Sequence, residues 1–95
     1  MRILYIINAF SWGGAEKLVY DLALQIRPYT EGVSVIGLYK KNDDTEREMI
    51  QVLNSSNIDT HILGKKAGTG RIKGILEILS YMKKKKIDKI GRAHV

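Results

Sequence analysis

The chain has 95 residues, 44% of them hydrophobic and 27% charged, with a formal net charge of +6. That is room for one small domain, which buries roughly two-thirds of its unfolded surface. Cysteine is absent, which excludes disulfides and thiolate metal sites, and the isolated His61 and His94 do not make a metal cluster.

"MRILYIIN" opens with one basic residue and an apolar run too short for a signal peptide or a membrane span. A cytoplasmic location is therefore expected. Ile3 to Ile7 form a continuous apolar run, the pattern of a parallel strand covered on both faces. "NAFSWGGAEK", Asn8 to Lys17, follows, and beyond it Leu18, Val19, Leu22, Ala23 and Ile26 fall on one helical stripe expected to face the core. Lys17 and Asp21 are spaced for an i,i+4 ion pair, and Pro28 should end the helix. "VSVIGLY", Val33 to Tyr39, predicts a second strand, and "TEREMIQVL" predicts a short helix with Met49, Ile50 and Leu53 inward. Asp43, Asp44, Glu46 and Glu48 crowd the start of that helix, where carboxylates suit its dipole better than they suggest acid–base chemistry.

"IDTHIL", Ile58 to Leu63, predicts a third strand, with His61 packed or half-exposed rather than a catalytic base. A loop, "GKKAGTG", leads to a helix over Arg71 to Lys86 whose inner stripe is expected to be Ile72, Ile75, Leu76, Leu79 and Met82. "IDKI" then begins a further strand. Strands alternating with helices predict an α/β fold: a Rossmann-like, three-layer parallel sheet built from right-handed crossovers.

Two glycine-rich patterns fail as nucleotide motifs. Gly68, Gly70 and Gly74 give G-x-G-x-x-x-G, one residue longer than the dinucleotide fingerprint, and "GKKAGTGR" lacks both the second glycine and the Gly-Lys-Ser/Thr of a P-loop. What remains is a loop whose Lys65, Lys66 and Arg71 would line a basic rim. Lys83 to Lys86 form the densest charge run, read either as a solvated helix end favoured by the dipole or as an attraction to anionic lipid. Nucleic acid is not expected, because no aromatic residues interleave the lysines.

"NAFSWGG" is the stretch with ligand chemistry. A helix N-terminus leaves its first amides unpaired and partly positive, and glycines let backbone approach an anion without a side chain in the way. In a parallel sheet this loop lies beyond the carboxyl end of its strand, the usual ligand side. The competing reading is that Gly13 and Gly14 serve only a tight turn or close helix–sheet packing.

"MRILYIINAFSWGGAEKLVYDLALQI…VSVIGLY" resembles the start of retaining glycosyltransferases of the GT-B fold, the large nucleotide-sugar-dependent group called family 4 or group 1. The likeness runs through "IDTHILGKK" and the lysine-rich helix, so it covers nearly the whole chain. It implies the N-terminal, acceptor-side half of a two-domain enzyme. The substrate-binding positions carried over are Gly13 and Gly14, with Ser11, Trp12, Ala15 and Glu16 beside them; Ala9 departs from a glycine common in the group. No catalytic residue, metal or cofactor is implied for this chain, since the nucleotide-sugar is a co-substrate. The implied partners are that donor and a sugar or lipid-linked acceptor, with a peripheral membrane contact through Lys83, Lys84, Lys85 and Lys86. The alternatives are a non-catalytic phosphate- or nucleotide-binding module and a stand-alone interaction domain.

The end of the chain departs from that resemblance. The group carries histidines at the third and fifth positions after the aspartate matched by Asp88, which here are Gly91 and Ala93; His94 is sixth, and a one-residue shift in a strand turns a side chain to the other face. "IGRAHV" is what one frame of a common short-read sequencing adaptor, ATCGGAAGAGCACACGTC, encodes. Residues 1–89 are thus expected to be a partial glycosyltransferase domain and residues 90–95 a non-native tail. Such a fragment would be inactive, and without its fourth strand the first would be an open apolar edge.

Overall fold

The computed structural model describes residues 1–63 and 71–92. The expected loop with Lys65 and Lys66, the side chains of Arg71, Ile72 and Ile75, and His94 lie outside the described residues. In chain order the elements are β1 (Arg2–Ile7), α1 (Gly14–Ile26), β2 (Gly32–Gly37), α2 (Asp44–Ser55), β3 (Ile58–Ile62), α3 (Arg71–Lys85) and β4 (Lys89–Arg92). All four strands are parallel, in the order β3-β2-β1-β4. The α/β alternation read from the sequence is the alternation observed.

Register explains why β2 reads as unbroken apolar sequence. Ile3, Tyr5 and Ile7 of β1 lie opposite Val33, Val35 and Gly37, and these in turn lie opposite Ile58, Thr60 and Ile62 of β3. This face packs against Val19 and Ala23 of α1 and Met49 and Leu53 of α2. Leu4, Ser34 and Ile36 point to the other face and are also buried, as period-two alternation requires of a sheet covered on both sides. On that second face Asp59 and His61 of β3 meet α3, through Lys85 and Glu77. The chain steps from β1 to β3 in one direction and then jumps back past β1 to β4. With a common crossover hand, that reversal puts α3 on the face opposite α1 and α2.

Local chemistry sets the element ends. The α-helix of α1 stops at Ile26, and Pro28 sits in a single 3-10 turn, Arg27–Tyr29. Lys17 and Asp21 form the expected ion pair, at 2.9 Å. Asp43 caps α2 by accepting from Glu46 N at 2.8 Å, while the buried Glu46 carboxylate reaches back to accept from Lys41 N at 2.7 Å and Asn42 N at 3.3 Å. The acidic cluster is thus a capping device extended upstream by two residues. At the end of α3, Lys86 takes φ 55°, with Ile87 N bonded to Met82 O at 3.0 Å and Lys86 N to Lys83 O at 3.4 Å. That is a Schellman closure with lysine where glycine is favoured.

Three expectations need correction. Leu18 and Leu22 do not join Val19 and Ala23 in the core but stay exposed, because α1 rests on the sheet along a narrower stripe than its apolar residues span. Leu76 and Leu79 of α3 are exposed as well; Met82 of the expected stripe is half-buried, as is Ile78, and Glu77, Tyr81 and Lys85 contact β3 beside them. Finally, β1 is not an edge. Lys89, Ile90, Gly91 and Arg92 pair with Ile3, Leu4, Tyr5 and Ile6. Polar residues are tolerated in β4 because it takes the edge position and needs a partner on one side only. Gly91 also makes the pairing fit: a Cβ there would lie 2.7 Å from the Tyr5 ring.

Candidate functional site

The loop after β1 lies at the carboxyl end of the sheet, where β1 is flanked by β2 on one side and β4 on the other. The strand order reverses here: β1 leads through α1 to β2 on one side, and β3 returns through α3 to β4 on the other, which makes this the topological switch point of the sheet. Its floor is fastened to β2: Leu38 N donates to Ile7 O at 3.0 Å and Tyr39 N to Asn8 O at 2.8 Å. Phe10 anchors it from within. Its side chain is fully buried, packed over Gly37, where a Cβ would meet the ring at 3.0 and 3.1 Å.

From that anchor the chain rises through Ser11 and Trp12 to Gly13, the N-cap of α1. Gly13 has φ −62° and ψ 157°, an extended conformation open to any residue, and neither Gly13 nor Gly14 has a positive φ. A Cβ on Gly14 would find nothing within 4 Å. The glycine pair is therefore required neither by the turn nor by helix–sheet contact. On Gly13 an added Cβ would lie 2.7 Å from Glu16 Oε2, so the Glu16 carboxylate folds back across the N-cap. The helix start carries no side-chain cap, and the first helical bond is Lys17 N to Gly13 O at 2.8 Å. The amides of Gly14, Ala15 and Glu16 thus have no acceptor within the helix.

Trp12 is 45% exposed and meets the Tyr20 ring edge-on, with centroids 5.1 Å apart and an interplanar angle of 87°. Tyr20 steadies one side of the indole and leaves the rest open beside the glycines. The Tyr20 phenol is pushed above its ordinary value, first by desolvation and then by the carboxylates of Asp21 and Glu48, with Lys17 opposing. Ser11, Trp12, Gly13, Gly14, Ala15 and Glu16 therefore form one continuous surface at the mouth of the sheet. Sequence reading overlooked Phe10, Tyr20 and Gly37, which hold that surface in place. The legible signal was Phe10 itself, a large aromatic inside a stretch of small and polar residues.

His61 is half-buried and bonded to Glu77 at 3.1 Å, away from the glycine loop's face. A separate cavity of about 270 Å³ lies at the amino ends of the strands, lined by Arg2, Arg27, Ser34, Asp59 and Lys85 among others. Its cations are already engaged: Arg27 with the Asn57 and Thr30 carbonyls, Lys85 with Asp59, and Arg2 with the Lys85 carbonyl. This network stitches the sheet's lower end and is not the candidate site. Among the described residues no group of three or more His, Cys, Asp and Glu side chains is placed to hold a metal ion, and no helix is long and apolar enough to cross a membrane. Comparison with known protein families, curated proteins and solved structures finds no match to this chain.

Proposed function

We propose that the chain is the acceptor-side part of a GT-B glycosyltransferase that moves a sugar from a nucleotide-sugar to a glycan or lipid-linked acceptor. In this reading residues 1–89 belong to its N-terminal Rossmann-like domain. The observation that carries the reading is Gly14: a residue without a side chain, at a helix start with open amides, where neither a positive φ nor a neighbour within 4 Å asks for glycine. A glycine in the first helical turn costs stability relative to alanine. A surface kept clear for backbone contact with a diphosphate accounts for that cost.

In this reading each residue has a role set by its chemistry. The amides of Gly14, Ala15 and Glu16 face the donor's phosphates and hold their charge with fixed dipoles. Trp12 offers an aromatic face to a sugar or base, and Ser11 a hydroxyl. The Glu16 carboxylate repels phosphate and accepts from sugar hydroxyls instead. None of these groups breaks or makes a bond, so the chain alone is inactive and the chemistry belongs to the facing domain of the parent enzyme. A cytoplasmic setting, at the membrane face when the acceptor is lipid-linked, follows from the same reading.

The test uses the full chain, labelled with ¹⁵N and titrated with UDP-glucose, GDP-mannose and inorganic pyrophosphate. Saturable amide shifts confined to residues 11–16, with a matching change in fluorescence of the single tryptophan, are expected at affinities on the order of 1 mM. Uridine without phosphate should leave the amides of Gly14, Ala15 and Glu16 unmoved. Absence of any localised shift with all three ligands refutes the cradle. The parent reading frame then separates transferase from non-catalytic module: a second nucleotide-binding half with sugar-transfer activity supports the first, and phosphate binding without such a half supports the second.

A further inference from the structure

The turn after β2 lies against the glycine loop and is fastened on both sides. On the near side Leu38 N and Tyr39 N donate to Ile7 O and Asn8 O, at 3.0 and 2.8 Å, and a Cβ on Gly37 would lie 3.9 Å from Ala9 Cα. On the far side Lys41 N and Asn42 N donate to the Glu46 carboxylate, at 2.7 and 3.3 Å. Asn42 takes φ 58°, the left-handed region, where the turn closes onto that carboxylate. Burying a carboxylate is costly unless its oxygens are bonded. Glu46 is 4% exposed, yet the two amides it binds belong to exposed residues rather than to the core. The buried charge thus holds one short stretch of surface backbone in a fixed shape.

Between the fastened amides of Tyr39 and Lys41 stands Lys40. Tyr39 is 42% exposed, and Lys40 is exposed beside it. Lys41 Nζ lies 3.9 Å from Asp43 Oδ2, whereas Lys40 enters none of the ion pairs among the described residues. In an open α/β sheet, a ligand held at the loop after the first strand reaches across to the residues just beyond the second. The acid that reads a ribose hydroxyl there in dinucleotide-binding sheets has no counterpart at positions 38–42, and Asp43 is engaged in capping α2. What this turn offers instead is an aromatic ring and an unpaired ammonium on a rigid backbone.

We propose that the turn after β2 is a binding subsite for a sugar phosphate, with the Lys40 ammonium on the phosphate monoester and the Tyr39 ring against the sugar. The assignment rests on the transferase reading of this mouth and narrows the acceptor to a sugar that carries a phosphate. Lysine binds phosphate as a point charge on a flexible stem, so the fixed backbone beneath it sets the region which that charge covers. A bare anion would use Lys40 and leave Tyr39 idle, and a neutral sugar would do the reverse. A sugar phosphate engages both.

Titration of the ¹⁵N-labelled full chain with glucose 6-phosphate, glucose and inorganic phosphate tests it. Glucose 6-phosphate is expected to shift the amides of residues 39–41 saturably, at an affinity on the order of 1 mM. Glucose and inorganic phosphate should each bind at least about threefold more weakly. Lys40→Gln should weaken glucose 6-phosphate about fivefold and Tyr39→Ala about threefold, while Lys40→Arg, which keeps the charge, restores most of the affinity. Both side chains are exposed, and unchanged circular dichroism and urea midpoints verify that the variants fold. No saturable shift at residues 39–41 with glucose 6-phosphate overturns the proposal, as does binding that Lys40→Gln leaves undiminished. Inorganic phosphate binding as tightly as the ester overturns the sugar-phosphate class. Shifts at residues 14–16 with pyrophosphate but none at 39–41 with glucose 6-phosphate refute this subsite and leave the cradle standing. The converse pattern refutes the cradle and leaves the subsite.

Discussion

Replacing Gly14 with alanine adds one methyl group at a point where no heavy atom lies within 4 Å. The residue opens α1, and its φ is not positive, so alanine enters without backbone strain. Two effects then favour the variant. Alanine narrows the unfolded ensemble, worth about 0.4–1 kcal/mol, and it suits helix better than glycine, although the first helical position captures only part of that preference. No steric cost opposes them, and the net gain expected is about 0.5 kcal/mol, or roughly 2–4 °C in melting temperature for a domain of this size. Urea unfolding followed by circular dichroism reads it as a higher midpoint at unchanged slope. The same variant, in the pyrophosphate titration, should bind more weakly, because the methyl group stands where the phosphate approaches. A destabilised Gly14→Ala would show that glycine is needed by the fold. A stabilised variant with undiminished binding would remove Gly14 from the site.

Gly37→Ala is expected to lose about 1–2 kcal/mol, because its Cβ would press on the buried Phe10 ring at 3.0 Å; in a Phe10→Leu background the loss should shrink, and a double-mutant cycle by urea unfolding measures that coupling. Glu46→Ala should cost about 2 kcal/mol by leaving the Lys41 and Asn42 amides without an acceptor, read as a lower thermal midpoint. Tyr20 favours its neutral form in the folded state more than in the unfolded one. The stability that it contributes is thus complete below its ordinary value of 10.0 and is lost as pH rises through the higher folded value. Tyr20→Phe should flatten that alkaline decline in pH-dependent unfolding curves.

Chain-local chemistry was legible without the fold. The apolar runs of β1 and β2, the capping carboxylates of α2, the Lys17–Asp21 pair and the stop before Pro28 each depend on neighbours within a few residues, so periodicity and residue type suffice to read them. The position of the glycine loop was legible for the same reason, since a strand followed by glycines and a helix puts the join at the carboxyl end of the strand. What those glycines are for was not. Only the tertiary structure showed that Gly14 borders open space and that Gly13 shares its space with the Glu16 carboxylate.

The outward leucines of α1 and α3 were decided in the same way. A stripe of apolar residues says that a helix has a face, but the angle at which the helix meets the sheet decides which face is covered. In α3 that angle was set by contacts between Asp59, His61, Glu77, Tyr81 and Lys85, residues from two elements far apart in the chain. The same holds for β4, whose polar residues read poorly as a buried strand and pair with β1 because the edge position and the missing Cβ of Gly91 admit them. Sequence by itself determined the elements and their order, through interactions a turn or a strand in length. Their mutual orientation, and with it the shape of the loop's mouth, came from long-range packing.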